Sequence, residues 1–392
     1  MKLRPATVPT LLLCTLLTAG CSRSEPTPTA DNDAATAAPA LEWNDTVEGE
    51  LPTRRIPNIP FAAEAYYAPD SLHVIAQTED PLAGRNARGG YNSLTYTFTD
   101  LGTELRRIND KGQDACSYFH PDGKRLIWTS TRDHLDLPPG DWSNDKDYPR
   151  GAELYFSDLE GGNVQRITDN TYYDAEVTVS PDGSTILFGR QIDGKMDLWV
   201  ADADGSNQRQ ITFTDEWQEG GAFFLPDSDR ILFRAWKRDE FGAVTPTPMT
   251  LFTIRKDGTD LRRHSVGNGM HWAPYPAPDG RHYVYVSVIE GRNWAVMLGD
   301  FAGGEPRRLT FAEGFNGFPS LSPDGTKLLF ARAYTNEEGR DGLTTFVQDV
   351  SSLGIGPDRV QPFDDSWGAK VQGNPDRLDR NQPIPAAAGT GS

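Results

Sequence analysis

Cysteine is scarce in this chain of 392 residues, which contains three: Cys14, Cys21 and Cys116. Cys14 lies in an apolar run near the amino terminus and Cys21 follows that run directly. Cys116 is therefore the one cysteine in the part of the sequence expected to fold, and an intrachain disulfide framework is excluded. We expect Cys116 to be a small buried thiol on a strand.

Basic residues are also few. The chain has 38 Lys and Arg against 56 Asp and Glu, a formal net charge of −18 at pH 7. Removing the first twenty residues takes away Lys2 and Arg4 and no acid, which leaves 36 bases against 56 acids, or −20. Nucleic acids and anionic lipid surfaces attract proteins with an excess of positive charge. The balance therefore argues against both as main partners.

Common catalytic and metal-binding motifs are missing from the sequence. It contains no Gly-x-Ser-x-Gly, His-Glu-x-x-His, Cys-x-x-Cys or phosphate-loop pattern. The six histidines are scattered along the chain, and most fall where a structural role is expected. No catalytic residue and no cofactor is therefore predicted, and a binding role is preferred to an enzymatic one.

One strongly apolar run is present, Leu11–Leu17, and it is too short to span a bilayer. It follows a basic start and precedes small residues, so residues 1–20 are predicted to be a secretory signal peptide. Leu17-Thr-Ala-Gly-Cys21 resembles the bacterial lipoprotein box. The resemblance implies that Cys21 is lipidated and, because Ser22 follows it, that the protein is anchored in the outer membrane, facing the periplasm or the exterior. Ordinary cleavage of the signal peptide is the alternative.

A repeat dominates the rest of the sequence. Phe119-His-Pro-Asp-Gly-Lys-Arg-Leu-Ile-Trp128 recurs with variations, and its proline falls at Pro69, Pro121, Pro181, Pro226, Pro278 and Pro323. The spacings of 52, 60, 45, 52 and 45 residues are close to the length of a propeller blade. The sequence therefore predicts an all-β fold over residues 49–354, a six-bladed β-propeller of four-stranded antiparallel blades.

The strands of each blade are labelled A to D from the axis outward, and blade six lacks a D strand. A lone copy of the D-strand pattern, Thr53-Arg-Arg-Ile56, stands before blade one. We expect this amino-terminal strand to complete blade six, closing the ring and covering an open sheet edge. The flanking residues 21–48 and 355–392 are rich in small and polar residues, which predicts a disordered tether and a mostly disordered tail.

The repeat, followed by Asp-x-x-Gly and by Arg-Arg-Leu-Thr in the D strand, resembles the TolB-type six-bladed propellers over residues 50–354. The resemblance implies their fold and a TolB-like scaffold function. It does not extend to the amino-terminal α/β domain of TolB. The motif residues form turns and core, so they indicate a fold rather than an activity.

The two faces of such a propeller differ. The A–B and C–D connections are tight turns, whereas the B–C connections carry the long insertions Glu79–Gly90, Thr131–Arg150 and Ala235–Thr250. Loops held on a rigid scaffold are where function concentrates. The face of the B–C and D–A connections is therefore the candidate site, and we expect it to bind a cell-envelope protein or a small polar ligand such as an oligosaccharide or peptide.

Register gives candidate residues on that face. The positions seven residues before each repeat proline should begin the innermost strands, and aromatic and basic side chains lie near them. The candidates are Asp114, Asp174, Glu219, His271, Asn316, Trp217, Trp272, Arg132, Arg190, Arg234 and Arg332. They could bind a ligand at the mouth of the central channel, and they could also hold a divalent metal there. Alternatively, they satisfy backbone groups of neighbouring blades and pair with one another.

An enzymatic alternative is a metal-dependent, carbohydrate-active protein similar to the oligogalacturonate lyase propellers. Those proteins hold their metal with several histidines in the axial mouth, and this ring offers His271. The preferred interpretation is a monomeric binding scaffold that meets the membrane through its lipid anchor alone and does not bind nucleic acid.

Overall fold

The computed structural model describes residues 42–86, 90–289 and 291–384. The predicted signal peptide, the predicted lipidation site Cys21 and most of the predicted tether lie outside these residues. None of the helical segments within the described ranges has the length and hydropathy of a membrane span.

The first strand, β1 (Thr53–Arg55), precedes the first blade. Blade one contains β2 (Ala62–Tyr67), β3 (His73–Glu79), β4 (Ser93–Thr99) and β5 (Arg106–Arg107). Blade two contains β6 (Asp114–Phe119), β7 (Arg125–Ser130), β8 (Glu153–Asp158) and β9 (Gln165–Arg166). Blade three contains β10 (Tyr173–Val179), β11 (Thr185–Ile192), β12 (Lys195–Asp202) and β13 (Arg209–Gln210).

The second half of the ring follows the same order. Blade four contains β14 (Trp217–Phe224), β15 (Arg230–Lys237), β16 (Thr250–Arg255) and β17 (Arg262–Arg263). Blade five contains β18 (His271–Pro276), β19 (His282–Ile289), β20 (Asn293–Asp300) and β21 (Arg307–Arg308). Blade six contains β22 (Asn316–Leu321), β23 (Lys327–Thr335) and β24 (Asp341–Asp349). The six antiparallel sheets form the predicted six-bladed propeller.

Strand β1 completes blade six. It pairs antiparallel with β24, with Thr53 opposite Gln348 and Arg55 opposite Phe346. The guanidinium of Arg54 is buried and forms an ion pair of 3.4 Å with Asp100 of blade one. The prediction that an amino-terminal strand closes the ring is therefore confirmed.

The repeat motif forms the tight turns between A and B strands. In blade three, Asp182 Oδ1 accepts a hydrogen bond of 2.9 Å from the backbone N–H of Ser184, and Gly183 adopts a φ of 73°. Asp supplies the side-chain acceptor and Gly the left-handed conformation that such a turn requires. The motif therefore fixes the spacing of the two strands rather than a site.

The apolar core is divided among the spaces between adjacent blades. One cluster joins Leu187 and Leu198 of blade three to Ile231 and Phe233 of blade four, all of them buried. Each such side chain stabilises the fold by about 1.5–3 kcal/mol through burial. Blades therefore depend on their neighbours, and the ring holds the innermost strands around its axis.

Part of the segment after blade six, which was predicted to be mostly disordered, packs on the propeller within the described residues. Strand β25 (Ala369–Lys370) adds a fifth strand to blade four, pairing with β17. Trp367 is 7% exposed. Short 3₁₀ turns lie at Pro81–Ala83, Ser351–Leu353, Pro357–Arg359 and Pro375–Arg377.

The end of the predicted tether is also ordered. Asn44 forms a parallel bridge with Thr53, and Trp43 packs against the apolar cluster between blades six and one. Composition alone underestimated how much of both flanking segments packs on the propeller, because one or two aromatic residues are enough to dock a polar segment on an existing surface.

Candidate functional site: an axial cavity

Every innermost strand contains a β-bulge at the same place. The residue five positions before each repeat proline adopts a left-handed conformation, with φ between 44° and 55°; these residues are Glu64, Cys116, Glu176, Gly221, Ala273 and Phe318. The register of each A–B strand pair shifts at this point. A bulge re-aims a side chain relative to the regular alternation of a strand. All six of these residues line one cavity on the propeller axis.

The cavity has a volume of about 400 Å³ and opens on the face that carries the long insertions. Insertion 131–150 contributes Trp142 and Tyr148, and insertion 235–250 contributes Phe241. Tyr148 stacks on Tyr173 with ring centroids 4.3 Å apart. The other aromatic side chains in the walls are Trp236, Trp272, Trp294 and Phe318. The axial cavity therefore lies on the face predicted from loop length.

Aromatic rings close the floor of the cavity. Tyr66, Tyr118, Phe223 and Tyr275 stand three residues before their repeat prolines and meet around the axis. Phe223 and Tyr275 have ring centroids 4.8 Å apart, and the hydroxyls of Tyr118 and Tyr275 are 3.1 Å apart. On the other side of this layer, a second cavity of about 400 Å³ is lined by the repeat prolines. The layer separates the two faces.

The axial cavity contains an ion pair. Arg234 Nη2 lies 2.9 Å from Glu176 Oε1, and the backbone N–H of Gly221 donates to the other carboxylate oxygen. A Cβ at Gly221 would stand 1.8 Å from Arg234 Nη1, so this position must be glycine for the arginine to cross it. The guanidinium also lies 5.3 Å from the ring centre of Trp236. Arg234 is therefore fixed in the wall.

Glu64 is the second carboxyl group in the cavity. Its Oε1 accepts a weak hydrogen bond of 3.4 Å from the Cys116 thiol. Burial, and next the charge of Glu176, raise the pKa of Glu64 to about 7. Burial and the nearby Glu64 also hold the pKa of Cys116 well above its usual value. At neutral pH the thiol is therefore protonated and the carboxyl group titrates.

The predicted candidates at the starts of the innermost strands are not among the residues that line the axial cavity. Asp174 accepts from Arg190 Nε and Nη2 at 2.6 and 2.7 Å. Asn316 donates to the Trp294 carbonyl at 3.0 Å and accepts from Arg332 Nε at 2.8 Å.

Asp114 and Glu219 hold similar positions. Asp114 accepts from the backbone N–H of Thr95 in blade one at 2.8 Å, and Glu219 accepts from Thr214 at 2.5 Å. Burial raises the pKa of Asp114 to about 6 and that of Glu219 well above its usual value. These side chains satisfy polar groups at the blade junctions, as the structural alternative expected.

The remaining candidates divide between the core and the cavity. Trp217 packs inside the core against Phe252, Arg132 lies over Trp128, and His271 Nδ1 is 3.0 Å from the Met249 carbonyl oxygen. Arg234 and Trp272 are the predicted residues that line the cavity. The sequence analysis missed Glu64, Cys116 and Glu176. The one signal for their position was Gly221, which holds the same place in blade four and is a residue type suited to positive φ.

Within residues 42–86, 90–289 and 291–384, no three His, Cys, Asp or Glu side chains are grouped so that they could hold a metal ion.

Comparison with known proteins identifies the fold. No protein-family model matches the chain. An uncharacterised protein of Agrobacterium fabrum is 25% identical over 178 residues, which cover 43% of this chain and 54% of that protein. The chain thus spans about half the length of this curated relative.

Solved structures resemble the chain over its propeller. A putative TolB from Agrobacterium tumefaciens superposes with a TM-score of 0.52 at 19% identity, covering 74% of this chain and 90% of that one. TolB from Acinetobacter baumannii gives 0.49 at 18%, covering 72% and 64%. Oligogalacturonate lyase from Vibrio parahaemolyticus gives 0.47 at 14%, covering 77% and 94%. The first likeness shows that the chain shares the propeller fold of that structure.

Proposed function

We propose that this propeller is a cell-envelope binding protein whose axial cavity holds a small ligand. The observation that carries the proposal is the cavity itself, about 400 Å³ in volume, walled by aromatic rings and closed at its floor. Small-molecule sites are concave and mostly apolar, with a few polar groups that fix orientation. Glu64, Glu176 and Arg234 are such groups here.

The position of the cavity supports binding of a small molecule over docking of a large partner. Its walls include Trp142 and Tyr148 from one insertion and Phe241 from another. Gln218 and Trp236 donate to Asp145 Oδ2 at 3.2 and 3.1 Å, which ties the first insertion to blade four. A ligand therefore enters between ordered loops and meets a preformed site.

Attachment to the outer membrane through lipidated Cys21 is the second part of the proposal. It rests on the resemblance of Leu17–Cys21 to the lipoprotein box. More than one acyl chain on one residue would anchor the protein firmly. Metabolic labelling with a radioactive fatty acid tests this: the label should enter the protein and be absent from Cys21→Ala. Equal labelling of both would contradict it.

Ligand binding is tested on the full chain carrying Cys21→Ala, which removes the proposed anchor. Thermal melts are recorded with neutral and acidic oligosaccharides, short peptides and small amines, because a ligand that binds the folded state raises the melting temperature. Calcium, manganese and EDTA are included to test the metal-dependent enzyme alternative. At least one compound should raise the melt and change the tryptophan fluorescence of the cavity.

A matched pair of variants locates the response. Ala273→Phe fills the cavity with a residue that blade six already holds at a similar φ, as Phe318. It should lose ligand binding while melting near the parent temperature. Ala333→Phe places the same ring on an exposed strand position and should retain binding. A flat response to every compound, with recovery of an envelope protein by both variants, would favour the protein-binding scaffold instead.

A further inference from the structure

The charged groups of the axial cavity do not balance. Glu176 is neutralised by Arg234 at 2.9 Å and by the backbone N–H of Gly221. Glu64, in contrast, has one side-chain hydrogen bond among the described residues, from the uncharged Cys116 thiol. When Glu64 is ionised, these three side chains leave the cavity with one uncompensated negative charge. A carboxylate facing an enclosed space favours a cationic partner.

The walls of the cavity suit a cation as well. Trp272 makes edge contacts with Phe318 at 4.6 Å and with Trp294 at 5.6 Å between ring centroids. Tyr148 and Tyr173 form a stacked pair in another part of the wall. Aromatic faces attract Lys-like and quaternary ammonium groups, and cages of such rings recognise them. An aromatic lining with one carboxylate that is not paired to a cation suits such groups.

We propose that the axial cavity binds an organic cation, a primary or quaternary ammonium group on a small body, with Glu64 as its counter-ion and the aromatic walls as its cage. This inference rests on the proposed small-ligand function and names the class of ligand. An anion would compete with Glu176 for Arg234 and face Glu64. A neutral sugar would leave the charge of ionised Glu64 without compensation.

Binding of a cation should depend on pH in a defined direction. The charged and titratable groups facing Glu64 are Cys116, Tyr66, Tyr173, Glu176 and Arg234. The pKa values of Cys116 and both tyrosines lie well above their usual ranges, chiefly because of burial, so these groups stay neutral near pH 7. Arg234 stays charged. The affinity for a cation should therefore rise with pH through the pKa of Glu64, about 7, and then level off.

The experiment measures binding of choline, tetramethylammonium and putrescine to the full chain carrying Cys21→Ala. Calorimetry and tryptophan fluorescence are recorded at about pH 6 and about pH 8, on either side of the Glu64 pKa. The neutral isostere of choline, 3,3-dimethylbutan-1-ol, separates charge from shape. At least one cation should bind at the higher pH, about tenfold or more tightly than the isostere.

Two variants identify the counter-ion. Glu64→Gln keeps the shape of the side chain and should weaken cation binding about tenfold or more, remove its pH dependence and leave the isostere unaffected. Glu313→Gln, an exposed change, should bind like the parent. If Glu64→Gln fails to fold, two measurements on the parent still test the cation proposal: the affinity for the cation relative to its isostere, and the pH dependence of cation binding.

The outcomes separate the two proposals. Binding of a sugar or peptide without binding of any of the three cations would overturn the cation inference and leave the small-ligand function standing. Equal binding of choline and its neutral isostere would also overturn it. If no compound changes the melting temperature or the tryptophan fluorescence, and Ala273→Phe behaves like the parent in both measurements, both proposals are overturned.

Discussion

Glu64 couples the cavity to the stability of the fold. The pKa of its carboxyl group is raised from 4.5 to about 7, first by burial and then by Glu176. Between these two values the folded state holds a proton that the unfolded state has lost. The contribution of Glu64 therefore destabilises the fold progressively as pH rises from about 4.5 to 7, and the loss is complete above that window.

Replacing Glu64 by Gln should remove this loss. At about pH 8 the variant should be more stable than the parent by about 1–3 kcal/mol, and near pH 4.5 the two should be alike. Thermal melts of both proteins across this range measure the difference. Glu313→Gln is the control and should track the parent at every pH. A constant offset between Glu64→Gln and the parent would show that packing, and not ionisation, is responsible.

Asp174 belongs to the frame of the ring and not to the cavity. It is fully buried, and both of its carboxylate oxygens bond to Arg190. Asp174→Asn should lower the free energy of unfolding by about 3 kcal/mol, because it leaves a buried guanidinium without its counter-charge. Asp169→Asn, at an exposed site that pairs with Arg166, should change it by less than about 1 kcal/mol. Chemical denaturation measures both.

Ligand binding by Asp174→Asn distinguishes a frame residue from a site residue. The folded variant should bind any ligand of the axial cavity as the parent does. Loss of binding with an unchanged fold would show that Asp174 is part of the binding site, as the sequence analysis predicted.

The residues that line the axial cavity stand two positions after the candidates predicted by counting back from the repeat proline, and this offset has a physical cause. Counting back from the repeat proline assumes regular alternation along the strand, and the bulge breaks that alternation. The six bulge residues range from Gly221 to Phe318 and share no side-chain chemistry, because the ring of strands holds each of them in its conformation. Apart from Gly221, the local sequence therefore carries no signal for the position that faces the axis.

At the scale of the element, turns and closure were predictable because their chemistry is local. Pro-Asp-Gly requires a tight turn wherever it occurs, and Thr53-Arg-Arg-Ile56 repeats the D-strand pattern of complete blades. The carboxy-terminal segment was not predictable in this way. It is held by tertiary contacts: Arg263 donates to the backbone carbonyls of Arg380 and Gln382, and Arg262 to that of Trp367.

Trp367 is the apolar anchor of that segment. Its ring centroid lies 5.3 Å from that of Phe363 and 6.4 Å from that of Phe301 in blade five. Trp367→Ala should lower the free energy of unfolding by about 3 kcal/mol and make the bond after Lys370 sensitive to trypsin. Val360→Ala, at a residue 52% exposed, should do neither. Melts and timed digestion measure both effects, and resistance of Trp367→Ala to trypsin would show that the hydrogen bonds alone hold the segment.

At the scale of the whole molecule, the antiparallel pairing of β1 with β24 forms the seam that closes the ring. Thr53 and Gln348 are Cα partners there, 295 residues apart in the chain, and both are buried. Opposite residues in an antiparallel pair lie about 4.5–5.5 Å apart at Cα, within the range that a disulfide spans. Opening of this seam would expose the edges of blade six and the core between blades six and one.

A disulfide across the seam should therefore stabilise the entire propeller. We expect the oxidised form of Thr53→Cys/Gln348→Cys to exceed its reduced form by about 2–4 kcal/mol in the free energy of unfolding, because the bridge closes a loop that contains nearly all blades. Comparing the two redox forms of one variant cancels the loss of the Gln348–Thr53 hydrogen bond of 3.1 Å. Cys116, buried at the axis, does not compete for the bridge. Equal melting temperatures of the oxidised and reduced forms would mean that unfolding begins within a blade and not at the seam.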